Sequence, residues 1–282
     1  VVTNVKSADY LSDISGAIEL LHHRLQPGQF YDAESCLRFI ETNTGDPYAC
    51  KERLHMYAIA KAMLSWFEGQ DLEGMKQWSY VAAKIRRILF QERPAKDCRT
   101  PMYLTPLLSD NVDLVEWFSR FDYPFMPGSG SLSGKRRNNP KTDEYYHYNT
   151  LLALRGDWET LVPRCEVFLG DVPTKLGSYQ ADSRFHMALA EGDVARMEAS
   201  LDELVEPKLM KRRQEEESGT TGPFICTFAI VYAKIAWLHG HRVQVSSPYV
   251  PKEWLPIAPL PKYEDTFAFM AQSDDSMPVG RT

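Results

Sequence analysis

Residues 224–240 read FICTFAIVYAKIAWLHG, and the fold turns on this run. Lys234 is its one charge before the end. A helix apolar on every side lies inside a protein or in a bilayer. This one is 17 residues long, with a charge inside it and polar residues around it. It therefore reads as a buried central helix and not as a span. Pro223 suits the first turn, where a missing N–H costs nothing. Gly240 suits a left-handed stop just past the end. Arg242 to Val245 alternates polar and apolar, which predicts a short extended segment. Pro248, Pro251 and Pro256 allow neither a regular helix nor a central strand, so the tail should wrap over the body.

Outward from that spine, the rest of the chain shows helical spacing. Leu11, Ile14, Ile18, Leu21 and Leu25 predict one helix over 8–25, ended by Pro27-Gly28. A shorter one spans 31–40. Asp46-Pro47 opens a third, stopped by Gly69, and a fourth runs over 72–92. So short a link makes that pair antiparallel. The span 101–121 predicts two helices around a polar break, Ser109-Asp110-Asn111. In the second half, Gly156-Asp157 and Gly192-Asp193 stand 36 residues apart. Each pair follows one helix and precedes another, with glycine leaving the first and aspartate capping the next. This is the helix-hairpin style of tetratricopeptide arrays, though the other signature positions of that family are missing. The expected fold is all-α: stacked antiparallel helical hairpins with a short extended, proline-rich C-terminal tail. The expected organisation is an N-terminal helical half (1–123), a flexible linker rich in Gly, Ser and Pro (124–141), a C-terminal helical-hairpin half (142–260) and a tail (261–282).

The chain of 282 residues is long enough for a large core. Its net charge of −6 argues against direct nucleic-acid binding, which needs a basic face, and favours a cationic partner. Five cysteines form no CxxC pair and no zinc spacing. Cys36 and Cys226 sit in apolar runs, so buried free thiols in a reducing cytoplasm are expected. The opening residues show no basic-then-apolar run, so no secretion signal is expected. The charge run KLMKRRQEEE (208–217) reads as a solvated helix or loop.

Catalytic spacings are sparse. His22-His23 are adjacent on a helix, so their rings diverge. His239 and His241 bracket a helix end and would need further ligands to hold a metal. No HExxH, no Gly-x-Ser-x-Gly and no phosphate-binding glycine loop occurs. No cofactor and no metal is expected. Acids do cluster. Asp110, Asp113 and Glu116 follow at i, i+3, i+6, one face of a helix or its entry. Asp143 and Glu144 precede Tyr145-Tyr146-His147-Tyr148. Carboxylates beside aromatics suit a protein-binding surface. The plainer alternative is that these acids complement a helix N-terminus and the tyrosines are core. Asp110, Asp113, Glu116, Asp143, Glu144 and Tyr145 are the candidate partner-binding residues. Trp254, in Pro-Lys-Glu-Trp, is either an exposed anchor or the filling of a groove on its own domain.

Gly156-Asp157-Trp158, Gly192-Asp193, Pro207-Lys208, Lys211-Arg212-Arg213, AIVYAKIAWLHG (229–240) and SPYVPKEWLP (247–256) resemble the immunity protein 49 family. The resemblance is densest over 143–260, and Asp110 to Trp117 is similar too. The family comprises bacterial all-helical proteins encoded beside polymorphic toxins, including type VI secretion effectors. It implies a binding protein without catalysis that holds a cognate toxin inactive in the cytoplasm. Several such toxins are nucleases, whose basic faces match the acidic balance here. The family carries no agreed contact residues, so none transfers to this sequence. The alternative function is a helical-repeat scaffold or adaptor that binds a peptide or protein unrelated to toxins; an enzyme ranks third.

Overall fold

The computed structural model describes residues 14–93, 99–121 and 133–272. Among these the fold is all-α, without a strand. The order is α1 (Ile14–Leu25), α2 (Ala33–Glu41), α3 (Pro47–Phe67), α4 (Leu72–Glu92), α5 (Leu104–Ser109), α6 (Val112–Arg120), α7 (Ser133–Arg137), α8 (Asp143–Arg155), α9 (Trp158–Gly170), α10 (Gln180–Glu191), α11 (Val194–Leu204), α12 (Pro207–Arg212) and α13 (Thr227–Leu238). Short 3₁₀ turns join several of them. The start of the first predicted helix and the first half of the 124–141 stretch, 124–132, lie outside the described residues.

The apolar run is the buried spine. Every residue from Thr227 to Ala236 is buried in α13. One continuous core joins α13 to α3, α4, α5 and α6 of the first half and to α8, α10 and α11 of the second. The end of α13 follows the left-handed stop: Gly240 has φ +87°. His241 N–H donates to the Ala236 carbonyl at 2.9 Å and Gly240 N–H to Trp237 at 3.1 Å. Those bonds satisfy carbonyls that a helix end otherwise leaves open. The start differs from expectation. The helix opens at Thr227, not at Pro223. The Glu217 carboxylate takes the Thr227 N–H at 2.9 Å, capping the helix from ten residues upstream.

Both Gly-Asp turns form as read. Asp157 accepts the Thr160 N–H and Asp193 the Arg196 N–H, each at 3.1 Å. The turns converge on the spine's end. A Cβ on Gly156 would meet His239 at 3.3 Å, and one on Gly192 would meet His241 at 3.3 Å. The two histidines thus cover two glycine turns. The α3–α4 turn departs from the expected glycine stop. Gln70 takes the left-handed φ of 50°, while a Cβ on Gly69 would press on the Ser65 carbonyl oxygen at 2.9 Å.

After α13 the chain alternates as read, with Val243 and Val245 buried and Arg242 and Gln244 exposed. Trp254 is 0% exposed and meets Trp66 and Phe67 edge to face at 6.0 and 5.9 Å. It fills a groove on its own body. The strap continues over α4: Lys84 pairs with Asp265 at 2.7 Å, and Phe267 and Met270 close a smaller core over α2, α3 and α4. α7 docks on the second half, where Arg164 Nη2 donates to the Arg137 carbonyl at 2.6 Å and the Tyr145 carbonyl at 3.0 Å.

Cys36, Cys50, Cys165 and Cys226 are free and buried; Cys98 lies outside the described residues. Burial raises the Cys165 and Cys226 thiols to about 12, so neither is a nucleophile near neutral pH.

Candidate functional site

The structure divides the six acidic and aromatic candidates. Asp110 does not share a helix face with Asp113 and Glu116. It ends α5 in the left-handed conformation, φ 56°, and points inward. Its Oδ1 lies 2.5 Å from Lys234 Nζ and its Oδ2 2.9 Å from Lys76 Nζ. The side chains involved are at most 3% exposed. The Ala258 N–H also donates to Oδ2 at 3.2 Å. Asp110 therefore ties α4, α5, α13 and the strap together and cannot meet a partner. Tyr145 is likewise 4% exposed, with its hydroxyl donating to the Arg164 carbonyl at 2.9 Å. Tyr146, His147 and Tyr148 are core as well. A helix buried along this much of its surface has no tyrosine to spare.

Asp113 and Glu116 stay on the surface of α6, Glu116 paired with Arg120 one turn on. Asn111 caps this helix by accepting the Leu114 N–H at 2.9 Å. Val112 beside them is 65% exposed. The Asp110–Ala258 bond brings the strap against the start of α6, where Ile257 is 36% exposed. Val112 and Glu116, one turn apart, and Asp113 thus put an apolar and two acidic side chains on the exposed part of α6. Asp143 and Glu144 lie elsewhere, at the start of α8. Arg136 holds both, 2.7 Å from Glu144 and 3.3 Å from Asp143. α6 meets the other end of α8, where Arg155 Nη2 donates to the Arg120 carbonyl at 3.3 Å. The 13 residues of α8 separate the two acid pairs by roughly 18 Å of helix axis.

Sequence reading missed a second polar centre. The charge run is solvated only in part: Lys208, Lys211, Arg212, Gln214 and Glu215 are exposed, but Arg213 is 5% exposed. Its guanidinium grips Asp182 on α10 with two bonds, 2.8 and 3.0 Å. It also lies over the rings of Phe228 and Tyr179 at 3.7 and 4.5 Å. Burial alone would lower the Arg213 pKa, but the Asp182 carboxylate and the Tyr232 oxygen outweigh it and raise it. Tyr232 donates its hydroxyl to Asp182 at 2.5 Å. A signal was present: Arg213 follows Leu209 and Met210 at i+4 and i+3, so it continues their buried stripe.

Glu216 extends this centre. The Thr100 N–H donates to His147 Nδ1 at 3.1 Å, so the proton of the neutral ring sits on Nε2. That atom lies 3.7 Å from Glu216 Oε2. Burial drives His147 down to about 3, with Arg213 and Arg99 adding to the effect. Burial drives Glu216 up to about 7, against Arg99. A neutral imidazole is a poor counter-ion for a carboxylate, so Glu216 is partly protonated at neutral pH.

Above this centre opens a cleft of about 710 Å³ between α8, the 3₁₀ turn Thr174–Tyr179 and the α12 end. Tyr146 and Tyr179, stacked at 3.7 Å, and Arg213 lie at its base. Among the described residues, no three His, Cys, Asp or Glu side chains group to hold a metal ion. No helix there is long and apolar enough to cross a membrane.

The fold is that of an all-α protein of packed helical hairpins closed over one apolar spine. A family model described as Immunity protein 49 matches residues 167–254, and this match supports the immunity protein 49 family for the chain. The matched segment runs from α9 to Trp254 and holds the spine and the Arg213 centre. No curated protein and no solved structure matches the chain.

Proposed function

We propose that this chain is an immunity protein that binds a cognate antibacterial toxin and keeps it inactive in the cytoplasm of the producing cell. The match of 167–254 to the Immunity protein 49 model carries this reading; that family implies immunity against a toxin and suggests a non-catalytic role. We further propose that the toxin is a nuclease and that inhibition is occlusion. The net charge of −6 supports this, because a nuclease presents a basic face to nucleic acid. The contact surface in this proposal is the exposed part of α6 that carries Val112, Asp113 and Glu116, where exposed apolar area sits beside acids. Charge attraction speeds such a capture and apolar contact prolongs it.

The test is co-expression with the toxin encoded by the neighbouring gene. The chain should rescue growth, co-purify with the toxin and abolish its cleavage of nucleic acid. Asp113→Lys with Glu116→Lys should slow association at least about tenfold at low salt, in line with rim-charge effects. A toxin that kills and cleaves equally with and without the chain defeats the proposal.

A further inference from the structure

The cleft above Arg213 differs in charge from the protein around it. Six basic and three acidic side chains line it, in a chain of net charge −6. Three of the bases have no carboxylate partner among the described residues. Lys141 lies before α8, Lys175 in the Thr174–Tyr179 turn and Arg212 at the end of α12; all three are exposed. The other acid–base pairs near the cleft are internal. Arg136 is spent on Asp143 and Glu144, and Arg213 on Asp182. The base is rigid, since the Asp182 bonds and two aromatic rings fix Arg213. Arg213 Nε, buried and at the cleft's base, has no acceptor among the described residues.

From these observations we infer that the cleft is a binding site for an acidic peptide segment of the partner protein. A pocket of this volume lies in the ordinary range for ligands. Its free cations come from three separate elements around the mouth, which suits carboxylates spaced along a chain. Ten of its sixteen lining residues lie in the segment that matches the immunity family. The choice of a protein as occupant rests on the immunity reading. The cleft and the α6 patch then present opposite charges to one partner, which fixes its orientation.

The probe is a fluorescein-labelled octaglutamate peptide, followed by anisotropy with the full chain at low salt. Labelled oligothymidylate serves as the nucleic-acid control. The peptide should bind, although the protein's net charge opposes it. Lys141→Glu, Lys175→Glu and Arg212→Glu together should weaken binding at least tenfold. Asp113→Lys with Glu116→Lys should leave it no weaker than in the wild type. All three substituted cations are exposed, and a circular-dichroism melt checks that the variants stay folded. An unbound peptide, equal binding by the triple variant, or binding of the oligothymidylate in its place overturns the inference. Co-purification with the neighbouring toxin separates the two ideas. Peptide binding without a toxin complex sinks the immunity reading alone; a toxin complex without peptide binding sinks the cleft alone.

Discussion

Asp110→Asn is the substitution that most sharply separates a structural role from a recognition role. Asparagine tolerates the left-handed backbone that Asp110 adopts at φ 56°, so the perturbation is the loss of charge. Two ammonium groups depend on that charge: Lys234 Nζ at 2.5 Å and Lys76 Nζ at 2.9 Å. Both would remain buried, facing carbonyls only: Ala258 at 2.6 Å from Lys76 and Pro256 at 3.4 Å from Lys234. Removing one partner of a buried ion pair costs about 3–5 kcal/mol. One carboxylate serves two cations here, so the upper end, about 5 kcal/mol, is expected. For a chain of this size that corresponds to a fall in Tm on the order of 10 °C. Urea unfolding followed by tryptophan fluorescence measures it. Burial already lowers the Lys234 pKa, opposed by Asp110 and aided by Lys76. Losing Asp110 lowers it further, so the unfolded chain binds more protons below the unfolded value of 10.5. The deficit should therefore shrink as pH rises toward 10.5. Lys234→Met keeps the Lys76–Asp110 pair and fills the spine with apolar volume; it should stay within about 1 kcal/mol of the wild type or exceed it. An Asp110→Asn protein within about 0.5 kcal/mol of the wild type, yet unable to bind its partner, would refute this reasoning.

Glu216→Gln removes a carboxyl whose pKa is raised from 4.5 to about 7. Such a group stabilises the fold fully below 4.5 and loses that contribution as pH climbs through 7. The variant should gain on the wild type by on the order of 2 kcal/mol between pH 5 and pH 8 in paired urea titrations. His147, driven down to about 3, stays neutral in the folded chain across this range and drops out of the difference. Arg213→Met leaves Asp182 buried with Tyr232 and should cost about 3–5 kcal/mol by the same measurement; a loss under 1 kcal/mol would show that the aromatic stack carries the site. Gly156→Ala should cost about 1–2 kcal/mol for the left-handed backbone, and more for the 3.3 Å approach to His239. Gly240→Ala meets nothing within 4 Å, so it should pay the backbone cost alone; equal losses would deny the His239 contact any weight. Ile230→Ala in the spine should cost about 2–5 kcal/mol, and a milder effect would contradict its full burial.

The class of fold and several helix ends were legible because their causes are local. Asp46, Asp157 and Asp193 cap helices through bonds that span three residues, and Gly240 stops one through its own φ. The spine showed itself by being apolar in every direction, a property no tertiary contact is needed to see. The acid patch was half legible: Asp113 and Glu116 are exposed where a polar helix face should be. Tertiary structure alone decided which charges are inside. Asp110 meets Lys234 across 124 residues and Lys76 from another helix. Arg213 meets Asp182 across 31. Helical spacing states which side chains share a face but not what that face is packed against. A carboxylate on a solvated turn and one neutralised in the core therefore read alike until the chain folds.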